Sequence, residues 1–253
     1  MSEILNFPLV VFACSLLAMA LSIQTGAFLA RHVWPVREDD RSDLSLIVNA
    51  SLTLLALIIG FSFSMAVSRY DQRKNYEEEE ANAIGTEYVR AALLRSPYAG
   101  EVRSSLNRYL TQRLLFYTIR DPRRLQEIDV ETARLQTEMW STIQTAATDS
   151  PSALMALVVS GMNDVLNGQG YTQASWWNRI PVSGWSLMVI LALSCTLLVG
   201  YSARRSGVLL FTALPFVISI AFFLIADIDS PRRGVIRVMP QNLISLSESL
   251  HAR

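Results

Sequence analysis

Residues 7–30, 44–67, 185–203 and 207–226 contain no Lys, Arg, Asp or Glu. A helix needs about 20 predominantly apolar residues to cross the hydrocarbon core of a bilayer, and each stretch is close to that length or longer. Lipid offers no hydrogen-bond partners to the backbone, so a chain built on such stretches crosses as helices. The chain has 253 residues, 51 % of them hydrophobic, and no formal net charge. The fold class expected is therefore an all-α membrane protein with four transmembrane helices. The first stretch is read as a retained span, because Glu3 stands where a secretory leader carries basic residues and the apolar run exceeds the ~7 to 15 residues of a signal core.

The linker RHVWPVREDDRSD joins spans one and two, and a tight turn around Ser202, Arg204, Arg205, Ser206 and Gly207 joins spans three and four, so each pair forms a hairpin. The expected organisation is a hairpin in 1–67, a soluble helical insert in 68–180, a second hairpin in 181–226 and a tail in 227–253. The insert holds 13 basic and 14 acidic residues, the composition of a solvated domain. Pro97, Pro122 and Pro151 mark helix starts within it. Val102, Leu106, Tyr109, Leu110, Leu114 and Tyr117 form one apolar stripe at helical period; Leu125, Ile128, Leu135, Met139 and Ile143 form the next. Residues 153–166 are apolar nearly all round but short, as in a core or membrane-surface helix, and the tryptophans at 176, 177 and 185 read as interfacial markers where the chain re-enters the membrane.

Three groups of residues are candidates for function. Span two carries a small or polar stripe, Asn49, Thr53, Ala56, Gly60, Ser64 and Ser68, on one helix face. Small residues let helices approach closely, and the row Cys14, Ala18, Ser22 and Gly26 on span one offers a match. Alternatively the stripe lines an aqueous path, with Phe61 or Phe63 as an apolar constriction. Span two runs on without Pro or Gly into Glu77, Glu78, Glu79 and Glu80, with Arg73 and Lys74 within reach of them. These glutamates are either a solvated stalk or, gathered in an oligomer, an acidic mouth. The third group is Asp227, Asp229, Arg232 and Arg233 at the end of span four, read as a membrane-exit turn or as an ion or headgroup site.

Catalysis finds little support. His32 and His251 are the only histidines, Cys14 and Cys195 lie within spans, and no hydrolase, phosphate-binding or nicotinamide-binding motif occurs. No catalytic residue, cofactor, metal site or nucleic-acid partner is expected.

Two stretches, EEANAIGTEYVRAALL at 79–94 and DIDSPRRGVIRV at 227–238, set between two pairs of spans, resemble the bacterial bestrophin-like membrane proteins over essentially the whole chain. The resemblance implies four membrane helices with a large intracellular middle region, hence an insert and both termini in the cytoplasm and residence in a bacterial inner membrane. It also implies kinship with bestrophins, which are pentameric anion channels with a neck lined by the second helix. Span two has no Ile-Pro and paired-phenylalanine neck; GFSFSMA stands at that depth, and four glutamates at the inner mouth oppose anions. The functional expectation is a homo-oligomer in the lipid bilayer that conducts inorganic ions along span two. The rival is a non-conducting membrane anchor with a helical docking domain in 96–168.

Overall fold

The computed structural model describes residues 7–35, 37, 39–203 and 208–252, without the side chains of 208–210. It is all-α, with no strand among the described residues. The helices are α1 (Pro8–His32), α2 (Arg41–Arg90), α3 (Tyr98–Thr118), α4 (Pro122–Asp149), α5 (Ala153–Trp177), α6 (Val182–Ser202), α7 (Val208–Asp229) and α8 (Gln241–His251). Four helical stretches are long and apolar enough to cross a membrane. The turn expected at Arg204, Arg205, Ser206 and Gly207 lies outside the described residues.

The chain divides into two compact units, Met1–Tyr70 with Arg179–Arg237, and Asp71–Asn178 with Val238–Arg253. In the first unit α1 packs on α6 and α7. Its core gathers Met19, Leu55, Ala66, Trp185, Met188, Cys195, Phe222 and Ile225. The small row of span one meets α6 rather than α2. A Cβ placed on Gly26 would overlap the carbonyl oxygen of Leu197, and one on Gly200 would overlap that of Ile23. Ser22 donates to the carbonyl of Leu193 at 2.7 Å across the same seam. Two glycines facing each other's backbone thus set the approach of α1 and α6, as small residues do where lipid supplies no hydrophobic drive.

The second unit is helical and built as the proline marks foretell. Asp121 caps α4 by accepting from the N–H groups of Arg123 and Arg124 at 2.9 and 3.0 Å, and Ser152 caps α5 by accepting from Met155 N–H at 3.1 Å. Val102, Leu106, Tyr109, Leu110, Leu135, Met139 and Ile143 are buried, so both stripes face the core. The reading of 153–166 as a short segment ending before Gly168 is corrected by α5, which runs through both Gly168 and Gly170 to Trp177. Gly168 is tolerated mid-helix because it packs against the α2 backbone: its Cβ position lies 3.6 Å from Glu80 Cα. Trp176 is also not interfacial. It is buried against Phe116 and Tyr117, with ring centroids 4.8 and 5.4 Å away.

Candidate functional site

Within the first unit α2 is the least covered of the four apolar stretches, with 11 % of its most apolar window buried against 22 to 44 % for the others. Its contact with the unit runs through Val48, Leu55 and Ala66. Asn49, Thr53, Ala56, Gly60, Ser64 and Ser68 are all exposed, and no atom lies within 4 Å of a Cβ added at Gly60. Phe61 and Phe63 flank this face at 61 and 40 % exposure. Close packing inside the chain's own bundle, one reading of the stripe, is therefore not what the protomer does with it.

Beyond the span a buried row runs along α2 through Arg73, Glu77, Glu80, Ile84 and Glu87 and on to Ala91, with Ala81 beside it. Its steps of four and three are those of a packed seam, yet four of the six residues in the row are ionisable. Each buried charge has its own account. Glu77 accepts from the Leu243 N–H at 3.0 Å and from Asn242 Nδ2 at 2.7 Å, so its carboxylate caps the first turn of α8. Glu80 receives Arg113 Nε, Arg113 Nη2 at 3.4 Å and Thr172 Oγ1 at 3.1 Å. Neither side chain of that pair reaches solvent. Burial works against the Arg113 guanidinium, but Glu80, with smaller contributions from Tyr109 and Tyr117, holds the arginine's pKa above its ordinary value. The guanidinium also lies 4.5 Å from the centre of the Phe116 ring. Arg73 donates to the carbonyls of Ser175 and Asn178 at 3.2 Å each.

The partner of this seam is α5. Arg73 meets Ser175, Glu80 meets Gly168 and Glu87 meets Gly161, so a seven-residue step up α2 is a seven-residue step down α5. At Gly161 a Cβ would overlap Glu87 Oε2 and lie 2.5 Å from Arg90 Nη1, so the ends of both side chains occupy the space a larger residue would take. Both Glu87 oxygens are buried without a hydrogen-bond partner among the described residues. Burial first, with a smaller contribution from Asp164, pushes its pKa up to about 8 against the pull of Arg90.

The four consecutive glutamates therefore part company. Glu77 and Glu80 point into the second unit, and only Glu78 and Glu79 stay exposed. Nothing in composition separates them; the signal was the three-four spacing from Arg73 to Ala91, hidden because its members are charged. Arg113 escaped the same way, inside an otherwise apolar stripe.

At the end of α7, Asp227 is buried and accepts from the N–H groups of Val235 and Ile236 at 2.7 and 2.8 Å. Gly234 is required here, since a Cβ would overlap the Asp227 carbonyl and sit 3.0 Å from that of Ser230. Asp229 accepts from Ile180 N–H at 3.1 Å and faces Arg69 Nη1 at 3.6 Å. Arg232 is half-buried, and Arg233 lies 4.3 Å over the Phe7 ring. Among the described residues no three His, Cys, Asp or Glu are grouped as a metal site would need.

The family model described as "Bestrophin-like domain" matches residues 16–243. Among solved structures, a bacterial bestrophin homologue from Klebsiella pneumoniae carrying a tryptophan-to-alanine mutation is similar with a TM-score of 0.64, at 14 % identity, over 94 % of this chain and 97 % of that one. The same homologue carrying a leucine-to-threonine mutation is similar with a TM-score of 0.63, at 12 % identity, over 97 and 98 % of the two chains. At such identities the likeness is one of fold. No curated protein sequence matches.

Proposed function

This chain belongs to the Bestrophin-like family, and from that premise we propose that it forms a homo-oligomeric ion channel whose conducting path is lined by α2. Bestrophin homologues are oligomeric ion channels in membranes. One observation carries the finer reading: the small and polar face of α2 is turned away from every other helix of its own unit. Asn, Thr and Ser gain nothing from lipid tails, so such a face is accounted for by water or by other copies of α2 around an axis. In this reading Asn49, Thr53, Gly60 and Ser64 border the path, and Phe63 or Phe61 narrows it. Glu78 and Glu79, the exposed pair of the run, set the field at the mouth. The acidic mouth favours cations over anions. The protein resides in the bacterial inner membrane, with the insert 68–180 and both termini on the cytoplasmic side.

The test is Gly60→Trp in protein reconstituted into vesicles. A Cβ at Gly60 meets no atom of the described residues within 4 Å, so the indole enters the space assigned to the path and blocks ion flux. Undiminished flux through correctly assembled Gly60→Trp protein overturns the α2 path. A wild-type protein that assembles but passes no ion is instead the membrane-anchored docking module.

A further inference from the structure

On the first unit a groove of about 390 Å³ runs between α1 and α6, with Phe222 of α7 at its floor. Its α1 wall is Val11, Cys14, Ala18 and Met19, and its α6 wall is led by Trp185 and Ile190. Between Val11 and Met19 it extends about 12 Å along α1, at ~1.5 Å per residue. That is most of one leaflet of a ~30 Å hydrocarbon core. The lining is apolar apart from hydroxyls and a thiol, so the depth and chemistry suit an acyl chain.

An exposed arginine lies about one helical turn beyond the Val11 end of the groove. Phe7 precedes Val11 by one helical turn, and the Arg233 guanidinium is stacked 4.3 Å over the Phe7 ring while the residue stays exposed. Arg179, just before α6, lies close enough to Arg233 for the two charges to repel: burial first, and then Arg233, lower its pKa, with Asp229 opposing. Asp229 itself is engaged by Ile180 N–H and Arg69. The ring beneath Arg233 holds its position but does not neutralise it.

We infer that this groove is a phospholipid site, one acyl chain lying between α1 and α6 and an anionic headgroup meeting Arg233. The acyl chain supplies contact area and the arginine supplies headgroup preference. The site is independent of the conducting path, because it uses the α1–α6 face rather than the α2 stripe.

Native mass spectrometry of the assembled protein, equilibrated with equal amounts of phosphatidylglycerol and phosphatidylcholine of the same acyl length, tests it. Wild type retains lipid with phosphatidylglycerol preferred by about fivefold, the magnitude of one arginine near an anionic headgroup. Arg233→Gln brings the two lipids towards parity, and Ala18→Trp, or Cys14→Phe should the first variant misfold, removes the retained lipid without altering subunit number. Equal retention of both lipids by wild type, or full retention by a correctly folded groove-filling variant, overturns the site. A change of subunit number in those variants also overturns it, because the groove is then covered by a second copy.

Discussion

Glu80 and Arg113 close on one another in the interior of the second unit with neither side chain reaching solvent. Removing one partner leaves a buried charge uncompensated, at a cost of about 3–5 kcal/mol, whereas replacing both by apolar residues of similar volume is far milder. Glu80→Gln and Arg113→Met each lower the melting temperature of the purified protein steeply, and Glu80→Met with Arg113→Met recovers most of the loss. Additive losses in the double variant show that the two residues act separately.

Glu87 makes stability depend on pH in the direction opposite to that of a salt-bridged carboxylate. Its pKa stands at about 8 in the fold against an ordinary 4.5. Between those values the unfolded chain gives up a proton that the folded chain keeps, so stability is full below pH 4.5 and falls until about pH 8. The loss is on the order of 2–4 kcal/mol once solvent screening is allowed for. Thermal unfolding from pH 4.5 to 8.5 registers this decline, and Glu87→Gln flattens it; an unchanged slope in that variant assigns the titration elsewhere.

The α1–α6 contact rests on Gly26 and Gly200, each against the other helix's backbone. Gly26→Ala and Gly200→Ala must push the helices apart, an overpacking cost of about 1–3 kcal/mol. Gly60→Ala, in open space, has no such cost. Detergent-solubilised melting points of the three variants give the comparison, and equal melting points remove the glycine seam as the determinant of helix approach.

The glutamate run is separable by substitution. Glu77→Gln weakens the cap on α8, exposing residues 241–251 to faster hydrogen exchange without altering ion preference. Glu78→Gln with Glu79→Gln leaves exchange unchanged and lowers the cation-to-anion permeability ratio in vesicles. An unaltered ratio removes the acidic mouth from the proposal.

Phe63→Ala widens the proposed constriction and raises flux in reconstituted vesicles. A folded, fully assembled Phe63→Ala protein with wild-type flux places the constriction elsewhere on α2.

By itself the sequence determined that this is an all-α membrane protein. Charge-free runs of about 20 residues have one solution in lipid, and the apolar stripes of α3 and α4 and the helix starts marked by Pro97, Pro122 and Pro151 are local patterns with local causes. Tertiary structure alone decided what the charged residues of α2 do. Glu77, Glu78, Glu79 and Glu80 are chemically identical in a sequence, and which of them faces inward depends on where α5, α3 and α8 lie. A buried carboxylate is stable only when its partner arrives from a distant segment, Arg113 for Glu80 and the first turn of α8 for Glu77. The α2 stripe shows the converse. Its spacing was legible as small and polar, but whether a helix of the same unit covers that face depends on where α1, α6 and α7 lie, and the face is exposed.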